Sequence, residues 1–135
     1  EENGLLGSSY FRRVHKKELK NKLLINFDCV SDGDNVMVVL NGKARKRHGQ
    51  NVREAFYDGE GKKVYIERSS MAMYPSDQMG FSHSVAVAVL KKKRFIGLYM
   101  NRIHTSRDTV FQRENIQFIC ECTKRFIGSV INSES

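Results

Sequence analysis

Short continuous apolar runs, separated by polar turns, organise the first two thirds of the chain. Leu23–Val30 (LLINFDCV) is broken only at Asn26 and Asp28. That pattern predicts a strand buried on both faces, with polar residues emerging at its C-terminal end. The turn Ser31-Asp32-Gly33-Asp34-Asn35 leads into a second buried strand, Val36–Leu40. Val64–Ile66 reads as a weaker strand. Val85–Leu90 and Arg94–Met100 read as two more, with a Lys-rich stretch between them as a solvated loop. Helical periodicity covers Gly7–Lys20, which carries Tyr10, Phe11 and Val14 on one side, and predicts a short helix over Gln50–Tyr57. It is clearest over Arg113–Val130, where Ile116, Ile119, Cys120, Thr123, Ile127 and Val130 share a face that should dock on a sheet. Residues 69–84 hold the single proline, Pro75, and predict an irregular segment; 101–111 predict a loop. Helices alternating with apolar strands predict an α/β domain: a mixed, mostly parallel sheet flanked by helices.

Composition adds bounds. With 135 residues, 40% of them hydrophobic, the chain can fill one core, so residues 1–135 are expected to form a single domain. Nothing approaches the roughly 18 consecutive apolar residues of a membrane span. The formal charge of +8 raises nucleic acid as a partner. Its two clusters, Lys43-Ala44-Arg45-Lys46-Arg47 and Lys91-Lys92-Lys93-Arg94, lie between apolar segments, as solvated turns do. No aromatic-rich recognition strand accompanies them, so nucleic acid is not the expected partner. Cys29, Cys120 and Cys122 form no disulfide framework, which favours a reducing compartment and a cytoplasmic location. Cys120 and Cys122 point about 200° apart on a helix and do not readily share a metal.

Several polar residues lie where α/β sheets place their ligands, at the ends of apolar strands. Glu1 and Glu2 precede a helix, Asp28 ends a buried strand, and His104 follows Arg94–Met100. Carboxylates and an imidazole are the donor types that zinc takes, and a free carboxylate beside them can serve as general base. Singly, each is an ordinary surface or turn residue.

Their local contexts belong together. Glu1-Glu2-Asn3-Gly4-Leu5-Leu6-Gly7-Ser8, Asn26-Phe27-Asp28-Cys29-Val30, Ser76-Asp77-Gln78-Met79-Gly80-Phe81 and Ile103-His104-Thr105-Ser106-Arg107-Asp108-Thr109 resemble four motifs of the co-catalytic di-zinc aminopeptidases. That family includes bacterial leucyl aminopeptidases, with glutaminyl cyclases and transferrin-receptor-like proteins as relatives. The motifs occur in the family's order across nearly the whole chain. The resemblance implies a partial zinc-exopeptidase (phosphorylase/hydrolase-like) domain acting on peptide substrates with two zinc ions. It assigns Glu1 as the general base that takes a proton from the attacking water and passes it to the leaving amine. Glu2 and His104 would ligate one zinc and Asp28 the other. Asp108 or Thr109 would orient the His104 loop. Met79, Gly80 and Phe81 would line the pocket for the substrate's N-terminal side chain, and Tyr74 would polarise the scissile carbonyl. Gln78 stands where the family often has His.

The family also supplies a zinc-binding His and a bridging Asp upstream of the Glu-Glu pair. His15, His48 and His83 are poor substitutes for them. The expectation is therefore a C-terminal portion of a larger peptidase domain, cut just before residue 1, inactive alone and prone to self-association through an uncovered face. Two other readings compete: a non-enzymatic relative that uses the fold to bind partners, and a basic nucleic-acid-binding module.

Overall fold

The computed structural model describes residues 5–57, 62–68, 76–100, 102–103 and 105–134. Its elements are α1 (Leu6–Val14), β1 (Leu24–Phe27), β2 (Asn35–Leu40), α2 (Gly42–Ala55), β3 (Lys63–Arg68), a 3-10 helix (Asp77–Gly80), β4 (Ser84–Lys93), β5 (Gly97–Tyr99) and α3 (Arg113–Glu134).

The sheet is mixed, with β1, β4, β2 and β3 side by side in that order. β1 runs parallel to β4 and β2 parallel to β3, while the central β2 and β4 are antiparallel, Val38 opposite Val87. Two of the three pairings along this path are thus parallel, and the predicted α/β class holds. Strand alternation divides the core between the two faces. Val36, Val38 and Leu40 join Val85, Val87 and Val89 beneath α2 and α3, packed with Phe56, Phe118, Ile119 and Phe126. Met37, Val39, Ala86, Ala88 and Leu90 point the other way, towards Leu98 and Met100.

Several expectations need correction. The basic run 43–47 is not a loop: it lies in α2, which starts after Asn41, whose carbonyl accepts from Arg45 N at 2.9 Å. Ala44, His48, Val52 and Ala55 form the buried stripe of this helix, so the cations fall on the outer face. Small side chains and a histidine make that stripe hard to see. Lys91–Lys93 are likewise not a loop but the end of β4, paired with Tyr99, Leu98 and Gly97. The tip of this hairpin is Arg94–Ile96, and Gly97 adopts φ 82° to turn the chain. The docking face of α3 is rotated by one residue, to Asn115, Phe118, Ile119, Cys122 and Phe126. Cys120 and Ile127 face solvent instead. The Cys pair diverges as expected, with Cys122 fully buried. The first helix stops at Val14, and residues 15–21 continue as turns. Its Tyr10, Phe11 and Val14 are exposed, and the helix buries none of its residues.

Among the described residues no helix is long and apolar enough to cross a membrane.

Candidate active site

The C-terminal end of β1 places Asp28 just beyond the sheet, where its backbone N–H still donates to Val87 O at 3.1 Å. The next residue, Cys29, turns sharply with φ 53°, a left-handed conformation that costs a non-glycine residue roughly 1–2 kcal/mol. A backbone hydrogen bond from Val89 N to Cys29 O, 3.0 Å, holds that turn against β4. The chain therefore leaves the sheet abruptly after Asp28, with the carboxylate at the strand's end.

Side chains from the distant 76–78 segment and from β1 itself then fix the carboxylate. Ser76 Oγ donates to Asp28 Oδ2 at 2.6 Å and accepts from Asn26 Nδ2 at 2.9 Å. Asn26 also donates to Gln78 Oε1 at 3.0 Å, and the Cys29 thiol lies 3.2 Å from Asp28 Oδ1. Ser76 and Gln78 are buried, so these are low-dielectric hydrogen bonds to a half-buried acid. Asn41 secures the segment from behind: its Nδ2 lies 2.6 Å from Phe81 O and 2.7 Å from Ser84 Oγ. Gln78, at a position where the family often has His, thus has a structural partner in Asn26.

A cavity of about 320 Å³ opens beside this carboxylate's neighbour. Cys29, Val30, Met100 and Ile103 are among the residues that line it, and Asp32, Arg102 and Asp108 bring charge. Val110 is anchored near it. Ser31 Oγ donates to Val110 O at 3.3 Å, and the buried Asn115 of α3 donates to Ser31 O and Gly33 O at 3.0 and 2.9 Å. Asp32 pairs with Lys91 at 3.2 Å and reaches Arg102 at 3.9 Å. Sequence reasoning singled out none of Asn115, Arg102 or Asp32. An asparagine inside an apolar helical stripe is the one signal that points to Asn115.

The predicted site residues fall into three groups. Asp28 is tied to the Ser76 segment, and Asp108 lies by Cys29 with its N–H donating to Thr105 O at 3.0 Å; Thr109 beside it is exposed. Gly80 and Phe81 line a second, larger cavity near α1, while Met79 is 59% exposed. Glu1, Glu2, Tyr74 and His104 lie outside the described residues. Leu5, which follows the Glu-Glu-Asn-Gly stretch, has φ 62° and passes directly into α1, which begins at Leu6, one residue ahead of the predicted Gly7.

Among the described residues no group of three or more His, Cys, Asp or Glu side chains forms a metal centre. Asp28 has the donor chemistry for zinc: a carboxylate at a strand end, oriented by a hydroxyl as metal-binding acids commonly are. His48 and His83 do not extend that site. Their Nε2 atoms lie 3.1 Å apart with the rings stacked, and His48 is buried in α2 against the edge of Phe126.

No curated protein and no solved structure matches the chain significantly. The model of Peptidase family M28, however, matches residues 1–125. That span takes in all four motifs, including the strand end at Asp28 and the 103–109 sequence, and on it the chain belongs to peptidase family M28.

Proposed function

We propose that this peptidase-family chain serves a zinc-dependent aminopeptidase, removing the N-terminal residue of peptides. The observation that carries the reading is the hydrogen-bonded Asp28 carboxylate at the end of β1, with Val110 bonded to Ser31 three residues further on. Glu2 and His104 would hold one zinc and Asp28 the other. When bound, the metal pair supplies Lewis acidity that polarises the scissile carbonyl and makes water acidic enough to attack near neutral pH.

The chain's own residues supply the rest. Glu1 takes the proton of the attacking water and returns it to the leaving amine. Ser76 and Asn26 keep the Asp28 carboxylate in one rotamer, so no reorganisation is needed when the substrate arrives. Asp108 and Thr109 hold the loop that carries His104. Met79, Gly80 and Phe81 contact the substrate's first side chain, and Tyr74 donates to its carbonyl oxygen. The 135 residues assayed alone hydrolyse little, because the resemblance places a further His and a bridging Asp before Glu1.

The test is hydrolysis of free and N-acetylated peptides by the natural full-length polypeptide, with zinc and with a chelator. Release of free N-terminal residues is expected, lost on chelation, on N-acetylation and in Asp28→Asn. Equal cleavage of blocked peptides, or cleavage indifferent to chelator, overturns the aminopeptidase reading. Robust hydrolysis by the 135 residues at stoichiometric zinc overturns the claim of inactivity.

A further inference from the structure

The larger cavity, about 570 Å³, lies between the turns after α1, the start of β1 and the segment entering β4. Arg12, Lys16, Lys17, Lys20 and Lys22 line it, and among the described residues no carboxylate does. The whole chain has 23 Lys and Arg against 15 Asp and Glu, so a lining of five cations and no acid departs from its composition. Favourable interaction with the C-terminal end of the α1 dipole explains cations at Arg12 and Lys16. It does not reach Lys20 and Lys22, which lie beyond the helix.

Two features give the cavity a defined shape. A Cβ at Gly80 would come within 2.9 Å of Arg12 Nε, so the missing side chain lets the guanidinium lie over the 3-10 helix. His83 lines the wall and is held through its Nε2 contact with the buried His48. The floor is apolar, built from Leu19, Leu23, Leu24 and Phe81.

We propose that this cavity docks an acidic peptide segment. The five cations complement side-chain carboxylates, and the apolar floor accepts the aliphatic parts between them. A volume of about 570 Å³ falls within the range of ligand sites and spans more than a single anion. Single-stranded nucleic acid would need a series of aromatic platforms, and among the described residues Phe81 is the only aromatic ring besides His83 in the lining. Gly80 and Phe81, assigned above to the substrate's first side chain, also line this cavity, but Asp28 does not, and the five cations play no part in that reading. Binding of an acidic peptide is therefore scored separately from hydrolysis, and its failure leaves the aminopeptidase reading standing.

The experiment is fluorescence anisotropy with a labelled peptide alternating Glu and Leu, alongside its Gln–Leu counterpart and a single-stranded oligonucleotide. The Glu–Leu peptide is expected to bind, the Gln–Leu peptide at least about tenfold more weakly, with affinity falling as salt rises. Lys16→Glu with Lys20→Glu should weaken binding about tenfold or more, and the milder Lys20→Gln by about two- to fivefold. Lys43→Glu with Arg47→Glu, on the exposed face of α2, should change it less than twofold. Equal loss in the α2 variant, no binding of the Glu–Leu peptide, or tighter binding of the oligonucleotide through the same lysines would each overturn the proposal.

Discussion

Ser76 donates its hydroxyl proton to Asp28 across 2.6 Å, joining two residues 48 positions apart. The same oxygen accepts from Asn26, so one buried hydroxyl ties both polar residues of β1 and its end to the segment that precedes β4. Only a small side chain with both a donor and an acceptor serves that position. Alanine would leave Asn26 short of one acceptor and a half-buried carboxylate short of a donor.

Ser76→Ala is therefore expected to destabilise the chain by about 1–3 kcal/mol, the range for stranding buried polar groups. Ser76→Thr, which keeps the hydroxyl, should recover part of the loss. Urea denaturation followed by circular dichroism measures both. A neutral Ser76→Ala would mean that the hydroxyl does not hold Asp28.

Gly33 and Gly128 should respond in opposite directions to the same substitution. A Cβ at Gly33, whose φ is 154°, would come within 2.6 Å of the Leu90 backbone carbonyl group, which cannot move aside in a central strand. Gly33→Ala is expected to cost at least about 2 kcal/mol through strain of this kind. Gly128 lies in α3 with nothing within 4 Å of its added Cβ. Gly128→Ala should stabilise by about 0.5–1 kcal/mol, because alanine loses less backbone entropy in a helix. Thermal melts of the two variants decide the matter, and matching signs would contradict the packing at Gly33.

The elements legible in the sequence were those whose apolar residues are large and regularly spaced. The apolar runs of β1, β2 and β4, and the 3.6-residue period of α3, gave an α/β sheet that the structure bears out. The start of α2 was hidden because its buried stripe consists of Ala44, His48, Val52 and Ala55, which carry little hydrophobic signal beside five cations. The face of α3 was misread by one residue for a different reason. Its two buried phenylalanines and Cys122 sit one position before Ile119, Thr123 and Ile127 of an equally well-spaced row that shares only Ile119 with the buried face, and periodicity alone cannot rank two adjacent rows. Burial of Asn115, which bonds the loop after β1, decides between them. In the candidate site, Asp28 and the 103–109 loop were legible as motifs. The supports at Asn115, Asp32 and Arg102 were not, because their partners are distant in sequence.

That rotation of α3 gives the next prediction. Phe126 is 1% exposed and packs in the main core, whereas Ile127 is 43% exposed. Phe126→Ala should cost about 3–5 kcal/mol, and Ile127→Ala less than about 1 kcal/mol. Paired denaturation curves test it. A larger loss at Ile127 would restore the face inferred from periodicity.

The three thiols should differ in reactivity for reasons of access. Cys120 is exposed on α3, Cys122 is fully buried two residues later, and Cys29 is half-buried beside Asp28. Cys122 also lies 3.2 Å from Arg125 Nη2, whose guanidinium in turn donates to Ala55 O. A thiol so enclosed reacts only when α3 lifts from α2, and its labelling rate then follows the opening equilibrium and not intrinsic thiol chemistry. In native buffer, a disulfide reagent that releases a coloured thiolate should titrate Cys120 first. Cys29 should follow more slowly, and Cys122 should stay silent until denaturant is added. Cys120→Ser should abolish the fast phase and leave the protected thiol unchanged. Fast labelling of Cys122 in that variant would show that α3 does not seal the core at this position.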